Sequence, residues 1–161
     1  MILAGLLVAG CGGDDDGGGT TGTGGQITVE AKSLSKAEFI ERADEICRAR
    51  TEKVEAEFNA FLKRNADLGS SRAEQGAAAK EVVETIYLPA GEEQIDRIAS
   101  LGAPEGDEQQ IVSLLEAIRK GMDEAEDHPL RFVRALSIDY KPFAEAEELA
   151  AAYGFSECGK G

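Results

Sequence analysis

Few residues in this chain combine the right type and spacing for chemistry, and each has to be weighed separately. There is one histidine in 161 residues. His128 follows Asp123, Glu124, Glu126 and Asp127, so His128 with Asp123, Glu124 and Asp127 forms a weak candidate cation site at the end of a helical pattern. No second histidine completes a His-Glu-x-x-His zinc motif or a di-iron bundle site. Ser156 lies in Gly154-Phe155-Ser156-Glu157-Cys158, which lacks the final glycine of a nucleophile elbow and follows a helical rather than a strand pattern. It is not a hydrolase nucleophile. The expectation is therefore no catalytic set, no resident metal and no cofactor.

Cysteine chemistry is more informative. The run Leu7-Val8-Ala9-Gly10-Cys11, followed at once by Gly12-Gly13-Asp14-Asp15-Asp16, resembles a bacterial lipobox, in which a diacylglycerol is attached to the thiol before cleavage on its amino side. By that resemblance, residues 1–10 are a lipoprotein signal peptide and Cys11 becomes the lipidated first residue of the mature chain. The apolar stretch before Cys11 is too short to span a bilayer, which takes about 20 apolar residues. No Lys or Arg precedes it, so the reading expects an incomplete n-region and a translation start further upstream. Two or more acyl chains would anchor the protein firmly, whereas one gives only marginal binding.

A lipobox sends the chain outside the cytoplasm, where disulfides persist, and lipidation of Cys11 leaves the even pair Cys47 and Cys158. A Cys47–Cys158 bridge is the expectation, tying the C-terminal tail to the first helix. Two buried free thiols, or a reactive or metal-binding pair, are the alternatives.

The positioning elements follow from composition and periodicity. Ten of the 19 glycines fall within the first 25 residues, so residues 11–34 read as the lipidated cysteine plus a flexible Gly/Asp/Thr-rich tether. Asp14-Asp15-Asp16 reads as solvated spacer. Residues 35–161 remain as one helical domain. Ser35-Lys36-Ala37-Glu38 and Ser71-Arg72-Ala73-Glu74 are capping boxes. The first opens a stripe of Phe39, Ile40, Ala43, Ile46, Cys47, Val54, Phe58, Phe61 and Leu62, running to about Ala66. The second opens a helix interrupted at Pro89, either kinked there or divided near Leu88, and ended by Gly102-Ala103-Pro104.

A third helix carries Ile111, Leu114, Leu115, Ile118 and Met122. Pro129 opens a short helix with Leu130, Phe132, Val133 and Leu136. Asp139 could cap the last helix, which carries Phe143, Leu149, Ala150 and Tyr153 and is ended by Gly154. Gln26-Ile27-Thr28-Val29 is a weak strand signal. The fold class is all-α, an antiparallel bundle of four to five helices.

Glu45-Ile46-Cys47, the Leu101-Gly102-Ala103-Pro104 break and the closing Tyr153-Gly154-Phe155-Ser156-Glu157-Cys158 together resemble a group of small actinobacterial lipoproteins with two cysteines in the mature domain. That resemblance implies fold and address, and assigns no catalytic residue.

Charge narrows the partners. The chain has 31 acidic against 17 basic side chains and a net charge of −14, which excludes phosphate-driven nucleic-acid binding and disfavours polyanionic wall polymers. Tyr87, Tyr140 and Tyr153 read as core or rim packing, with a ligand-lining aromatic set as the minority reading. Two functions follow as expectations. One is a lipid-anchored extracytoplasmic interaction module, held to the cell membrane through its N-terminal lipid and displaying a helical face to a protein partner. The other is a small-ligand binder whose pocket opens where Pro89 and Gly91 part the bundle. An enzyme ranks below both.

Overall fold

A computed structural model describes residues 25–65, 71–135 and 141–159. The described chain is all-α. Helix α1 spans Lys36–Arg64, α2 Arg72–Val82, α3 Leu88–Leu101, α4 Glu108–Asp127, α5 Pro129–Ala135 and α6 Ala144–Tyr153. Both capping boxes form, with Ser35 Oγ accepting from Glu38 N–H and Glu38 Oε2 accepting from Ser35 N–H, and the same exchange between Ser71 and Glu74. These reciprocal bonds satisfy donors that a helix start leaves without partners.

The second helical run divides near Leu88, where α3 begins after α2 has ended at Val82. Val83–Tyr87 forms a π-helical turn that joins α2 to α3, and Leu88 N–H donates to Val83 O. Pro89 lacks the N–H that an α-helix would direct at Thr85, and the wider turn takes up the mismatch just before it. Pro129 opens α5, as its fixed φ favours. Gly154 closes α6 in the left-handed region at φ 112°, and Gly154 and Phe155 N–H both donate to Ala150 O.

Four details depart from the sequence reading. First, residues 25–34 pack on the bundle instead of belonging to the tether. Ile27 is buried, Arg119 Nη1 donates to Gly25 O at 2.6 Å and Lys32 Nζ to Ser100 O at 2.7 Å. Second, the strand is not at 26–29. A two-residue β1, Ala31–Lys32, pairs in parallel with β2, Ala103–Pro104. Gly102, at φ 70°, permits that pairing, because a Cβ there would lie 2.9 Å from Glu30 O.

Third, Leu62 points outward at 45% exposure, leaving the stripe that buries Val54 and Phe61. Fourth, α6 starts at Ala144 with Phe143 at its N-cap, so Phe143 precedes the helix. The proposed Asp139 cap, Leu136, Tyr140, Asp14 to Asp16 and Cys11 lie outside the described residues.

The main core joins α1, α3, α4 and α6 through Phe39, Ile46, Ile98, Ile111, Leu115 and Ala150. A second cluster gathers Val54, Phe61, Val82 and Ile86 at the far half of α1. A third joins Val83, Ala125 and Phe132. Apolar burial at these positions supplies the main driving force for the bundle. Where the first and third clusters adjoin, packing is incomplete, and the candidate site lies there.

Candidate functional site: an interhelical cavity beside the disulfide

Cys47 and Cys158 are bonded, with an S–S distance of 1.98 Å. Beside this bridge is a cavity of about 350 Å³ whose lining includes Cys47, Arg50, Tyr87, Met122, Phe132 and Phe143. That volume is at the small end of the range of about 300–1,000 Å³ typical of ligand pockets. A smaller recess of about 180 Å³ shares Arg50 and Gln94 with it.

Local sequence explains the opening. The π-helical turn ends at Tyr87, which brings this ring to the cavity, edge-on to Phe132 with centroids 4.9 Å apart. Phe132 in turn meets Phe143 at 6.2 Å. Gly91 lets Met122 come close, since a Cβ on Gly91 would lie 2.6 Å from Met122 Sδ. Gly121 does the same for Phe143, whose ring an added Cβ would run into. Gly91 on α3, facing α4, and Gly121 on α4, facing the segment before α6, thus admit the side chains that shape the cavity walls. Gly91 is among the lining residues, whereas Pro89 is exposed and is not.

Arg50 is the distinctive polar group. It is half-buried on α1, one turn after Cys47, with its guanidinium 5.9 Å from the Tyr87 ring centroid. Its Nε is buried and has no hydrogen-bond partner among the described residues. Burial draws the pKa of Arg50 downward, opposed by Tyr87, yet an arginine side chain remains cationic. Tyr87 shifts upward, chiefly through burial, with Arg50 opposing. Gln94 is buried and donates through Nε2 to Cys47 Sγ at 3.1 Å. The other ionisable lining residues are Lys141, Glu147 and Glu157.

Asp44 is a structural counterpart on the same helix. It is buried at 6% exposure, and its carboxylate collects the start of the C-terminal tail. Oδ2 accepts from Ser156 N–H at 2.9 Å and from Ser156 Oγ at 2.7 Å. Oδ1 accepts from Glu157 N–H at 2.9 Å and Cys158 N–H at 3.1 Å. Burial alone would raise its pKa, but these donors outweigh it and hold Asp44 below the usual carboxylate range. Ser156 thus serves the fold, as a donor to Asp44. Tyr153 is buried and donates to Asp107 Oδ2 at 2.7 Å, and burial first, then Asp107, raises its pKa.

The structure does not assemble the candidate cation site into a ligand cluster. Asp123, Glu124, Asp127 and His128 are all exposed, and His128 uses its backbone N–H to cap α4 through Glu124 O. No group of three His, Cys, Asp or Glu side chains suited to a metal occurs among the described residues. No helix among them is long and apolar enough to cross a membrane.

Sequence reasoning missed Asp44 and Arg50, although a signal was present. Ile40, Ala43, Cys47 and Val54 define one face of α1, and positions 44 and 50 lie on or beside it at helical spacings of three and four. No protein-family model matches the chain, and no curated protein or solved structure is significantly similar to it.

Proposed function

We propose that this protein is a non-enzymatic, small-ligand-binding helical lipoprotein, tethered outside the cytoplasm to the cell membrane through a lipid on Cys11. The observation that carries the binding reading is the cavity of about 350 Å³, walled by aromatic rings and by the disulfide, with a half-buried arginine beside it. Interhelical cavities that combine aromatic walls with polar and charged groups, here Arg50, Gln94, Lys141 and Glu147, can hold small molecules. The lipobox resemblance supports the anchor, and the Cys47–Cys158 bond is consistent with an oxidising compartment.

Display of a helical face to a protein partner has less to support it, because Leu62 is the one exposed large hydrophobic side chain among the described residues. Native mass spectrometry of the full-length protein, extracted gently in detergent and then denatured, tests the ligand reading. An adduct lost on denaturation supports it and gives the ligand's mass. A bare polypeptide, together with no melting shift across a metabolite panel, counts against it. Lipidation is tested separately, by intact mass and by replacement of Cys11 with Ser, which should release the protein from membranes.

A further inference from the structure

Arg50 is unusual for its surroundings. The chain holds 31 acidic side chains against 17 basic ones, and an arginine half-buried among so many acids ordinarily finds one. Exposed bridges do form nearby, between Lys53 and Glu93 at 2.7 Å and between Lys120 and Glu145 at 2.7 Å. Arg50 forms no salt bridge among the described residues, and its buried Nε is unpaired. A buried polar atom left without a partner costs about 1–3 kcal/mol. Nε itself is fully covered, so a ligand in the cavity would meet the terminal nitrogens of the guanidinium, which are not buried.

We infer that the cavity takes a small organic carboxylate whose anionic end is anchored by Arg50 and whose apolar body lies against Met122, Phe132 and Phe143. This rests on the cavity being the ligand site. A guanidinium offers donors in a planar fork that matches a carboxylate, and the pair is stronger out of water than at the surface. The Tyr87 ring beside Arg50 helps to hold the fork in place.

The remaining charges limit the ligand. Lys141 is exposed, so its ammonium is solvated and a weaker anchor. Glu147 and Glu157 also line the cavity. Two carboxylates there disfavour a second anionic group, so the selected ligand carries a single negative charge. The size of the cavity sets the scale at a ring or a short aliphatic chain.

The test uses the full chain with Cys11→Ser, which keeps the protein out of the bilayer, purified with the Cys47–Cys158 bridge intact. Phenylacetate and hexanoate are each titrated against their primary amides, which match them in shape and lack the charge. Binding is read from the Arg50 Nε–H signal and from backbone amides at Tyr87 and Phe143 in nitrogen-15 NMR spectra. The expected result is carboxylate binding at least about tenfold tighter than amide binding, with a shift at Arg50 Nε–H. Arg50→Met should abolish that preference and leave only the weak binding common to acid and amide.

Equal binding of acid and amide, or an unchanged preference in Arg50→Met, overturns the carboxylate inference while leaving the cavity as the site. Saturating probes that shift none of these signals overturn the cavity reading and the carboxylate inference with it.

Discussion

Asp44 and Arg50 stand fewer than two turns apart on one helix, and the fold treats them in opposite ways. Asp44 is buried and receives three backbone N–H groups and a hydroxyl from residues 156 to 158. Arg50 is half-buried, faces a cavity and keeps an unpaired Nε. Around Asp44 the rings also close up. Phe39 meets Tyr153 at 6.0 Å, Tyr153 stacks on Phe155 at 5.0 Å, and Lys36 Nζ caps the Tyr153 ring at 3.9 Å. Around Arg50, Tyr87, Phe132 and Phe143 leave space instead. One end of α1 is completed by the chain itself, whereas its middle borders a cavity.

The largest effect should come from cutting the covalent tie at the closed end. Cys47→Ala with Cys158→Ala opens a bridge spanning 111 residues, and the chain-entropy model gives about 4.7 kcal/mol for a loop of roughly 100 residues. We expect a loss of about 3–5 kcal/mol, read from the urea midpoint. A loss under about 1 kcal/mol would mean that Asp44 alone fixes the tail.

Asp44→Asn comes next. The neutral amide keeps one acceptor oxygen and adds donors that face other donors, so the expected loss is about 2–3 kcal/mol at neutral pH. The sign of its pH dependence follows from the depressed pKa of Asp44. The stabilisation is fully present above the unfolded carboxyl value of about 3.9 and is lost as pH falls through the lower folded value. The stability gap between wild type and Asp44→Asn should therefore narrow below about pH 4. A constant gap across acid would show that the charge contributes nothing. In the bridge-free background the same substitution should cost less, because disulfide and carboxylate hold the same tail.

Gly121→Ala probes the boundary between the two regions. Its added methyl meets the Phe143 ring and, at 2.9 Å, Pro142 O, so relief requires backbone movement. Overpacking of this kind costs about 1–2 kcal/mol here, and the segment that bears Phe143 should shift. A thermal melt equal to wild type would show that the cavity wall yields freely.

Features set by local spacing were far more legible in the sequence than those set by long-range contacts, for a physical reason. Capping boxes at Ser35 and Ser71, the Pro129 start and the Gly154 stop depend on residues within one turn of each other, so local spacing reveals them. The Cys47–Cys158 pair was readable from compartment and parity. Asp44 receives donors 112 to 114 residues away, and no local pattern encodes that distance. The strap at residues 25–34 escaped for the same reason, since its bonds reach Ala103 and Arg119. The cavity was legible only in outline. Gly91 signalled it, whereas no local pattern announced the π-helical turn at Val83–Tyr87 that precedes Pro89.

Arg50→Met gives the smallest change in stability and the sharpest comparison. Removing a core group normally destabilises, and Asp44→Asn should do so. Arg50 has the reverse balance, because its Nε is desolvated without a hydrogen bond and its main favourable contact is a cation–π approach of 5.9 Å. A methionine of similar reach restores apolar packing against Tyr87 and Met122 and removes the desolvated atom. The expected result is a stability unchanged or raised by up to about 1 kcal/mol in the ligand-free protein. A loss above about 1 kcal/mol, measured by urea titration, would place Arg50 with Asp44 as a structural residue. A neutral or stabilising outcome, with the carboxylate preference lost, separates the two charges: Asp44 is kept for the fold, and Arg50 is kept at the expense of the fold for what it binds.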